Sequence, residues 1–183
     1  MSERSSVLEL IDEVYAKEPQ LRGLLLKHSF DVWQTALKVM ENHRELGIDE
    51  QLLFEGTMAH DIGIRYCDAP DIMCFGSEPY LLHGVLGGRL LRARNLVHLA
   101  PFAERHTGVG LQAQDFLQQG LAVPDVVTEP QTIEEELLTY ADKFHSKSHP
   151  NRTKTVAEVE KSLSKFGEDR VARFRLWDKR FGV

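Results

Sequence analysis

The sequence predicts an all-α fold. Apolar residues recur three and four positions apart along most of the chain, which is the spacing of helices with one buried face. No segment shows the sustained alternation typical of a half-buried strand, and no internal repeat is evident. The chain has 183 residues, 42% of them hydrophobic, which is enough for one sizeable core. We therefore expect a single helical domain.

Two helices are predicted near the amino terminus. The first covers Val7 to Ala16, and the second runs from about Leu21 to Leu46. Gly47 follows and suits a left-handed helix cap, because glycine adopts positive φ without steric cost.

The third predicted helix has a polar end where burial is expected. Asp49 is its expected N-cap, and it finishes at His60-Asp61-Ile62, with Gly63 as the stop. The preceding run, Leu52 to Ala59, is mainly apolar, so Asp61 stands where the helix meets the core. A buried carboxylate costs several kcal/mol, roughly, unless it is paired or binds a metal.

The middle of the chain alternates loops and short helices. Arg65 to Gly76 is predicted as a loop, and Ser77-Glu78-Pro79 opens a helix that runs to about Asn95. A further short helix leads to Glu104-Arg105-His106 and stops at Thr107 to Gly110.

The carboxyl-terminal third begins with a loop from Gly120 to Pro130. Thr132 and Glu135 then fit a capping box that opens a helix to about Lys147. Thr153 to Val183 holds one or two charged amphipathic helices broken near Gly167, without a candidate ligand. We expect residues 1–150 to form the main domain with its N-terminal helix, and residues 151–183 to pack on it as a helical extension.

Composition narrows the partners and the location. The chain has 22 basic and 28 acidic residues, a net charge of −6, so a broad basic surface for polymeric nucleic acid is not expected. The amino terminus is charged and amphipathic, and no apolar run is long enough to cross a membrane. We expect a cytoplasmic protein without a membrane partner, whose charged C-terminal helices leave room for a homodimer. Cys67 and Cys74 fit no zinc or disulfide pattern and are expected to be reduced thiols.

Three further helices direct polar side chains toward the predicted core. His28 shares a stripe with Leu21, Leu25 and Val32, and His83 and Asp142 occupy similar stripes on later helices. One buried histidine is explained by a hydrogen bond to a carbonyl, but that explanation is poor for all of them together. A bound cation accounts for the whole set, since imidazole and carboxylate groups on facing helices build dinuclear sites in bundles.

The order of these residues resembles the HD superfamily of metal-dependent phosphohydrolases, over roughly Leu21 to Lys147. The resemblance is carried by His28, by His60-Asp61 within the motif HDIG, and by Asp142 after Tyr140-Ala141. His83 in LLHGVLGG and His106 in ERHTGVG match the positions that supply a second metal in the dinuclear branch. The resemblance implies an HD-domain helical bundle.

The resemblance also implies the ligand sets and the metals. His28, His60, Asp61 and Asp142 would hold one metal ion, and Asp61, His83 and His106 the other, so that Asp61 bridges. Iron is the first expectation and manganese the second, with zinc or nickel as alternatives, because no thiolate selects zinc.

The implied activity is hydrolysis of a nucleotide or another small phosphate ester or phosphoanhydride by a metal-bridged hydroxide. Asp61, Arg65 and Lys143 are the predicted catalytic residues. Arg65 and Lys143 are also expected to bind the substrate phosphate, as are His145 and Ser146, which lie one helical turn beyond Asp142. Arg105 is a weaker candidate.

Alternatives remain open at this stage. Many relatives carry Lys directly after HDIG, where this chain has Ile64, so the cyclic-dinucleotide substrate of one branch is not carried over. The histidine order is also similar to that of small bacterial diadenosine-tetraphosphate hydrolases, with a longer segment between His106 and Asp142. Some proteins with the same six ligands are mixed-valent di-iron oxygenases that cleave C–P or C–C bonds, and a regulatory domain without turnover is a third hypothesis.

Overall fold

The computed structural model describes the backbone of residues 3–182 and the side chains of residues 7–182. The described residues do not include Met1 and Ser2 of the predicted main domain or Val183 of the predicted helical extension. Within that range the chain forms nine α-helices and one two-stranded sheet, which confirms the all-α prediction. The helices are α1 (Glu3–Val14), α2 (Pro19–Asn42), α3 (Glu50–Ala59), α4 (His83–Ala93), α5 (Ala100–Arg105), α6 (Ala113–Leu117), α7 (Ile133–Asp142), α8 (Val156–Leu163) and α9 (Glu168–Phe181).

Helix α3 lies at the centre of the helical assembly. It contacts α1, α2, α5 and α7, while α4 packs on α5, and α9 packs on α7 and α8. Leu53, Met58 and Ala59 of α3 are completely buried. Because α3 is surrounded by other helices, the His–Asp pair that follows it enters the interior of the protein.

The predicted N-cap of α3 is confirmed, and so is the Thr132 half of the capping box predicted for α7, whereas the Glu135 carboxylate accepts from the Gln131 amide instead of the Thr132 amide. The Asp49 side chain accepts a hydrogen bond from the Leu52 amide at 2.9 Å, and Thr132 caps α7 in the same way through the Glu135 amide. Helix α2 ends earlier than predicted, at Asn42, and one 3-10 turn follows it. Gly47 has φ 62° and ends that turn, so its left-handed conformation was correctly predicted.

Gly63 has a different role from the predicted one. Helix α3 ends at Ala59 rather than Ile62, and Gly63 has φ −86°, which any residue can adopt. The glycine is required by packing instead. A Cβ atom here would overlap the His83 carbonyl oxygen and the Gly87 nitrogen of α4, so Gly63 allows the turn after His60-Asp61 to press against α4.

Gly63→Ala is therefore expected to reduce the free energy of unfolding by about 3 kcal/mol, the upper range for overpacking a rigid interior. Gly23→Ala is the matched control. Gly23 is exposed on α2 with open space around its Cα, and an alanine there should stabilise the protein by up to about 1 kcal/mol. Urea unfolding measures both variants. Equal stabilities would contradict the close approach of Gly63 to α4.

Two segments predicted as loops contain regular structure. Residues 65–76 include an antiparallel pair of short strands, β1 (Asp68–Ala69) and β2 (Cys74–Phe75). These strands have two residues each, too few for an alternating pattern to be visible in the sequence. Helix α6 was also not predicted, because a five-residue helix carries little periodic signal. Cys67 and Cys74 are free and buried, and burial raises the pKa of their thiols to about 12 and about 11.

Helix α7 ends five residues before its predicted end. It stops at Asp142, and the chain then turns through residues 143–147. The predicted break in the carboxyl-terminal region is confirmed, since Gly167, with φ 129°, separates α8 from α9. Among the described residues no helix has both the length and the apolar character needed to span a bilayer. The cytoplasmic location and the homodimer stay predictions.

Candidate metal centre

Six polar side chains meet in the core: one lies within α2, one is the first residue of α4, and four lie at or just beyond the carboxyl ends of α3, α5 and α7. All six are at least nine-tenths buried. They are the six residues predicted as ligands from the sequence: His28, His60, Asp61, His83, His106 and Asp142.

Their ligand atoms form two sets that share only Asp61. Oδ2 of Asp61 lies 3.2 Å from Nε2 of His28 and 2.9 Å from Nε2 of His60, and Oδ1 of Asp142 lies 2.9 Å from the same His28 atom. Oδ1 of Asp61 faces the other way, 3.3 Å from Nε2 of both His83 and His106. Each oxygen of Asp61 therefore belongs to a different set.

Backbone carbonyls fix the orientation of three of the imidazole rings. Nδ1 of His60 donates to the Thr57 carbonyl at 2.6 Å, Nδ1 of His83 donates to the Tyr80 carbonyl at 2.6 Å, and Nδ1 of His106 donates to the Ala103 carbonyl at 2.8 Å. A neutral ring that donates through Nδ1 carries a lone pair on Nε2. This is the arrangement in which metal-binding histidines are held by outer hydrogen bonds.

The convergent lone pairs fit bound metal ions. Nε2 of His83 and Nε2 of His106 are only 3.0 Å apart, and neither oxygen of Asp61 receives a well-aligned hydrogen bond from a described residue. Ligands about 2.1 Å from one cation are separated by roughly 3.0 to 3.4 Å in octahedral or tetrahedral geometry. Most of the donor atoms are 2.9 to 3.3 Å apart, close to that range, and Nε2 of His60 lies farther from Oδ1 of Asp142, at 3.8 Å. The residues are therefore suited to hold metal.

The electrostatics of the cluster favour charged carboxylates and a neutral His106. At His60 burial opposes the charged form, but Asp61 and Asp142 outweigh it and raise the pKa of this imidazole. Burial alone would raise the pKa of Asp61, but His60 and Lys147 hold it well below its usual value. Burial likewise opposes ionisation of Asp142, and Lys143 and His28 outweigh it, so this pKa is also lowered. Burial lowers the pKa of His106 to about 4, which leaves its imidazole neutral at physiological pH. Ionised carboxylates and neutral imidazoles are the forms that bind metals.

Lys147 is a residue of this site that sequence reasoning missed. Its Nζ lies 2.6 Å from Oδ2 of Asp61, and its side chain is only 11% exposed. In a helix continuing to Lys147, this residue would point roughly 140° away from Asp142. Since α7 ends at Asp142, the turn brings Lys147 back to the cluster. Ser146, Ser148 and Pro150 favour such a turn and are the signal that was available.

Three of the four predicted substrate contacts line a cavity beside the cluster. The cavity has a volume of about 720 Å³ and is bordered by His83, His106 and Asp142, as well as by Lys143, His145 and Ser146. Nζ of Lys143 is 2.8 Å from Oδ2 of Asp142, and Nε2 of His145 is 2.8 Å from the Thr35 hydroxyl. Their predicted roles are compatible with these positions.

The fourth predicted contact, Arg65, lies elsewhere, which corrects both of its predicted roles. It forms an ion pair with Glu18 at 3.1 Å, donates to the Val14 carbonyl and lies over the Tyr15 ring. It is not among the described residues that line the cavity. Since the 3-10 turn after Gly63 directs it toward the α1–α2 connection, Arg65 stabilises that junction. Arg105 is also engaged elsewhere, with Glu135 at 2.9 Å.

The carboxyl-terminal region contributes to the cavity, contrary to the sequence interpretation. Its lining includes Lys154, Phe166 and three residues of α8, which are Val159, Ser162 and Leu163. Tyr80 also lines the cavity, and its ring stacks on His83 with 4.6 Å between the centroids. The cavity is thus polar near the histidines and more apolar along α8.

Comparison with known proteins supports the fold and identifies the family. A family model described as HD domain matches residues 25–147. The sequence is 28% identical to the tRNA (cytidine(56)-2'-O)-methyltransferase of Picrophilus torridus over 71% of this chain and 34% of that protein. It is 33% identical to an uncharacterized protein of Methanocaldococcus jannaschii over 53% of this chain and 50% of that protein. The chain thus spans half or less of the length of these curated relatives.

Among solved structures, the fold is similar to the HD domain of the L. monocytogenes phosphodiesterase PgpH in complex with cyclic-di-AMP. The TM-score is 0.55 and the sequence identity 18%, with 92% of this chain and 93% of that chain covered. A second structure of the same HD domain gives a TM-score of 0.51. Because the family model matches well over half of the sequence, the chain belongs to the HD domain family.

Proposed function

We propose that this protein is a metal-dependent phosphohydrolase that acts on a nucleotide or a similarly small phosphate compound. The observation that carries the proposal is the pair of buried His/Asp sets that share Asp61 and border a cavity with lysine side chains. Similarity to the HD domain of PgpH, a phosphodiesterase solved with cyclic-di-AMP, supports the same reaction class. The methyltransferase relatives extend far beyond the matched region, so their named activity is not part of this proposal.

The site residues form two groups: those that would hold metal ions and those that would bind the substrate. His28, His60, Asp61 and Asp142 would hold one metal ion, and Asp61, His83 and His106 a second. When bound, such ions supply Lewis acidity and a water molecule of lowered pKa. The hydrogen bonds from Nδ1 to backbone carbonyls fix the orientation of three imidazoles, so their Nε2 atoms would be positioned for metal ions before substrate binds.

We expect two lysines to bind the phosphate. Burial alone would lower the pKa of Lys147, but Asp61 and Tyr80 raise it above its usual value. Lys147 therefore stays protonated and serves as a hydrogen-bond donor and positive charge, not as a base. Lys143 contributes a second ammonium group next to Asp142. Such groups stabilise the charge that accumulates on phosphoryl oxygens during transfer.

The size and polarity of the cavity support a nucleotide. A volume of about 720 Å³ falls within the usual range for small-molecule sites. The phosphate would lie at the polar end, near the histidines and lysines. The sugar and base would then extend toward Val159, Leu163 and Phe166, which provide apolar surface.

The experiment is a phosphate-release screen in which metal and oxygen are varied independently. The protein is stripped with a chelator, reloaded with Fe²⁺, Mn²⁺, Zn²⁺ or Ni²⁺, and assayed with nucleotides in air and under anaerobic conditions. We expect phosphate release that requires metal and is unchanged without oxygen. Turnover that requires both iron and oxygen would overturn the proposal in favour of an oxygenase. Metal binding without turnover of any substrate in the screen would favour a regulatory domain.

A further inference from the structure

Lys154 is a cationic side chain in the cavity that the metal centre does not use. It lies beyond the part of the chain that matches the HD family, in the segment between α7 and α8. Its backbone amide donates to the Phe144 carbonyl at 2.8 Å. This hydrogen bond fixes the segment beside the end of α7 and brings Lys154 into the same cavity as Lys143.

The other cationic side chains of the cavity already have acidic partners. Lys143 contacts Asp142, Lys147 contacts Asp61, and Arg170 contacts Asp115 at 2.7 Å. Among the described residues Lys154 has neither an ion pair nor a side-chain hydrogen bond. It is the cation of the cavity whose charge is left without a partner.

The surroundings of Lys154 disfavour its positive charge. The side chain is half-buried, and burial lowers its pKa, as does the like charge of Lys143. Asp142 and Glu158 oppose this effect but do not offset it. Asp68 in β1 and Asp71 in the 3-10 turn that follows also line the cavity, but both are exposed to solvent. An anion held by Lys154 would offset this repulsion from Lys143.

We propose that Lys154 forms a second anion subsite, which binds a phosphate group of the substrate other than the one bound by Lys143 and the metal centre. This inference rests on the proposed function and narrows its substrate class to compounds with at least two linked phosphates. The carboxyl-terminal extension thereby determines specificity, since it supplies Lys154 and the apolar wall of Val159 and Leu163. A half-buried ammonium group binds phosphate through charge-assisted hydrogen bonds.

The test compares the binding of tripolyphosphate and orthophosphate by isothermal titration calorimetry, with the full chain loaded with Mn²⁺ and free metal removed. The unaltered protein should prefer tripolyphosphate. Lys154→Gln should reduce that preference by about tenfold, the effect of removing one charged hydrogen bond. Lys154→Arg should restore most of it. Lys165→Gln is the matched control, because Lys165 is exposed on the 3-10 turn after α8 and does not line the cavity.

The results distinguish failure of the proposed subsite from failure of the proposed hydrolase function. The subsite is overturned if the unaltered protein shows no preference, or if Lys154→Gln changes the preference by less than twofold. Phosphate release that persists with such a result would leave the proposed function intact. Conversely, a tenfold loss of preference in a protein that releases no phosphate would support the subsite and overturn the hydrolase.

Discussion

Replacing Asp61 with asparagine is expected to empty both metal sites and to lower metal-dependent hydrolysis by about a thousandfold or more. The reason is the position of the carboxylate. Its two oxygens face separate ligand sets, at 2.9 to 3.3 Å from four histidine nitrogens. An amide has no negative charge and presents an NH₂ group to one of the sets, so one set loses its oxygen donor and the other keeps only a neutral one. Metal per chain, measured by plasma mass spectrometry, should fall close to zero.

The variant Asp142→Asn tests whether Asp61 is shared by the two metal sites. Asp142 belongs only to the set with His28 and His60, so this variant should lose one ion and retain the ion held by Asp61, His83 and His106. Asp31→Asn is the control, because Asp31 lies on α2 and pairs with Lys27 outside the cavity. Equal residual metal content in Asp61→Asn and Asp142→Asn would contradict a bridging role for Asp61.

Protein stability must be measured in the same experiment. In metal-free Asp61→Asn, Lys147 loses the carboxylate that neutralises its buried charge, and breaking a buried pair in this way costs about 3 to 5 kcal/mol. Circular dichroism at the assay temperature therefore establishes that the variant is folded. Metal loss from a folded chain is the result that assigns the ligand role.

Part of the metal centre could be predicted because helical phase determines which side chains of a helix face inward, whereas the full ligand set was implied by the resemblance to the HD superfamily. His28 shares its stripe with Leu21, Leu25 and Val32, and these residues are buried in the structure as that stripe requires. The caps at Asp49 and Thr132 were equally predictable, since each depends on a local hydrogen bond between a side chain and the backbone. Such features need only a few neighbouring residues.

The parts that could not be predicted depend on contacts between distant segments. Helix α3 stops at Ala59, where the following turn packs against α4 through Gly63. Arg65 was expected at the phosphate because it follows HDIG, but it pairs with Glu18 near the α1–α2 connection. The contribution of α8 to the cavity also arises from tertiary packing, which the periodicity of a charged helix does not reveal.

The residue after HDIG illustrates how a missing charge is supplied from another segment. Where many relatives have Lys, this chain has Ile64, and Ile64 is completely buried. A cation nevertheless lies next to the motif, because the turn after α7 places Lys147 against Asp61. The sequence distance between Asp61 and Lys147 hides this relation, which becomes visible only when α7 ends at Asp142.

Lys147→Met is expected to lower kcat by about a hundredfold while the affinity for Mn²⁺ stays constant or increases. The loss of rate follows from removing a protonated donor near the reacting phosphate. The opposite effect on metal follows from the contact with Oδ2 of Asp61, because the ammonium group competes with a cation for the same oxygen. Methionine keeps the length and apolar character of the side chain without its charge. Steady-state kinetics and competition with a fluorescent chelator measure the two effects separately.

Lys161→Met controls for the substitution itself, since Lys161 is exposed on α8 and does not line the cavity. If kcat and Mn²⁺ affinity of Lys147→Met fell together, Lys147 would be needed to build the metal centre instead of to bind substrate. Replacing a lysine with only a structural role would lower both quantities, whereas replacing one that competes with metal and binds phosphate must lower kcat without lowering the affinity for Mn²⁺. The relative sign of the two changes therefore assigns the role of Lys147.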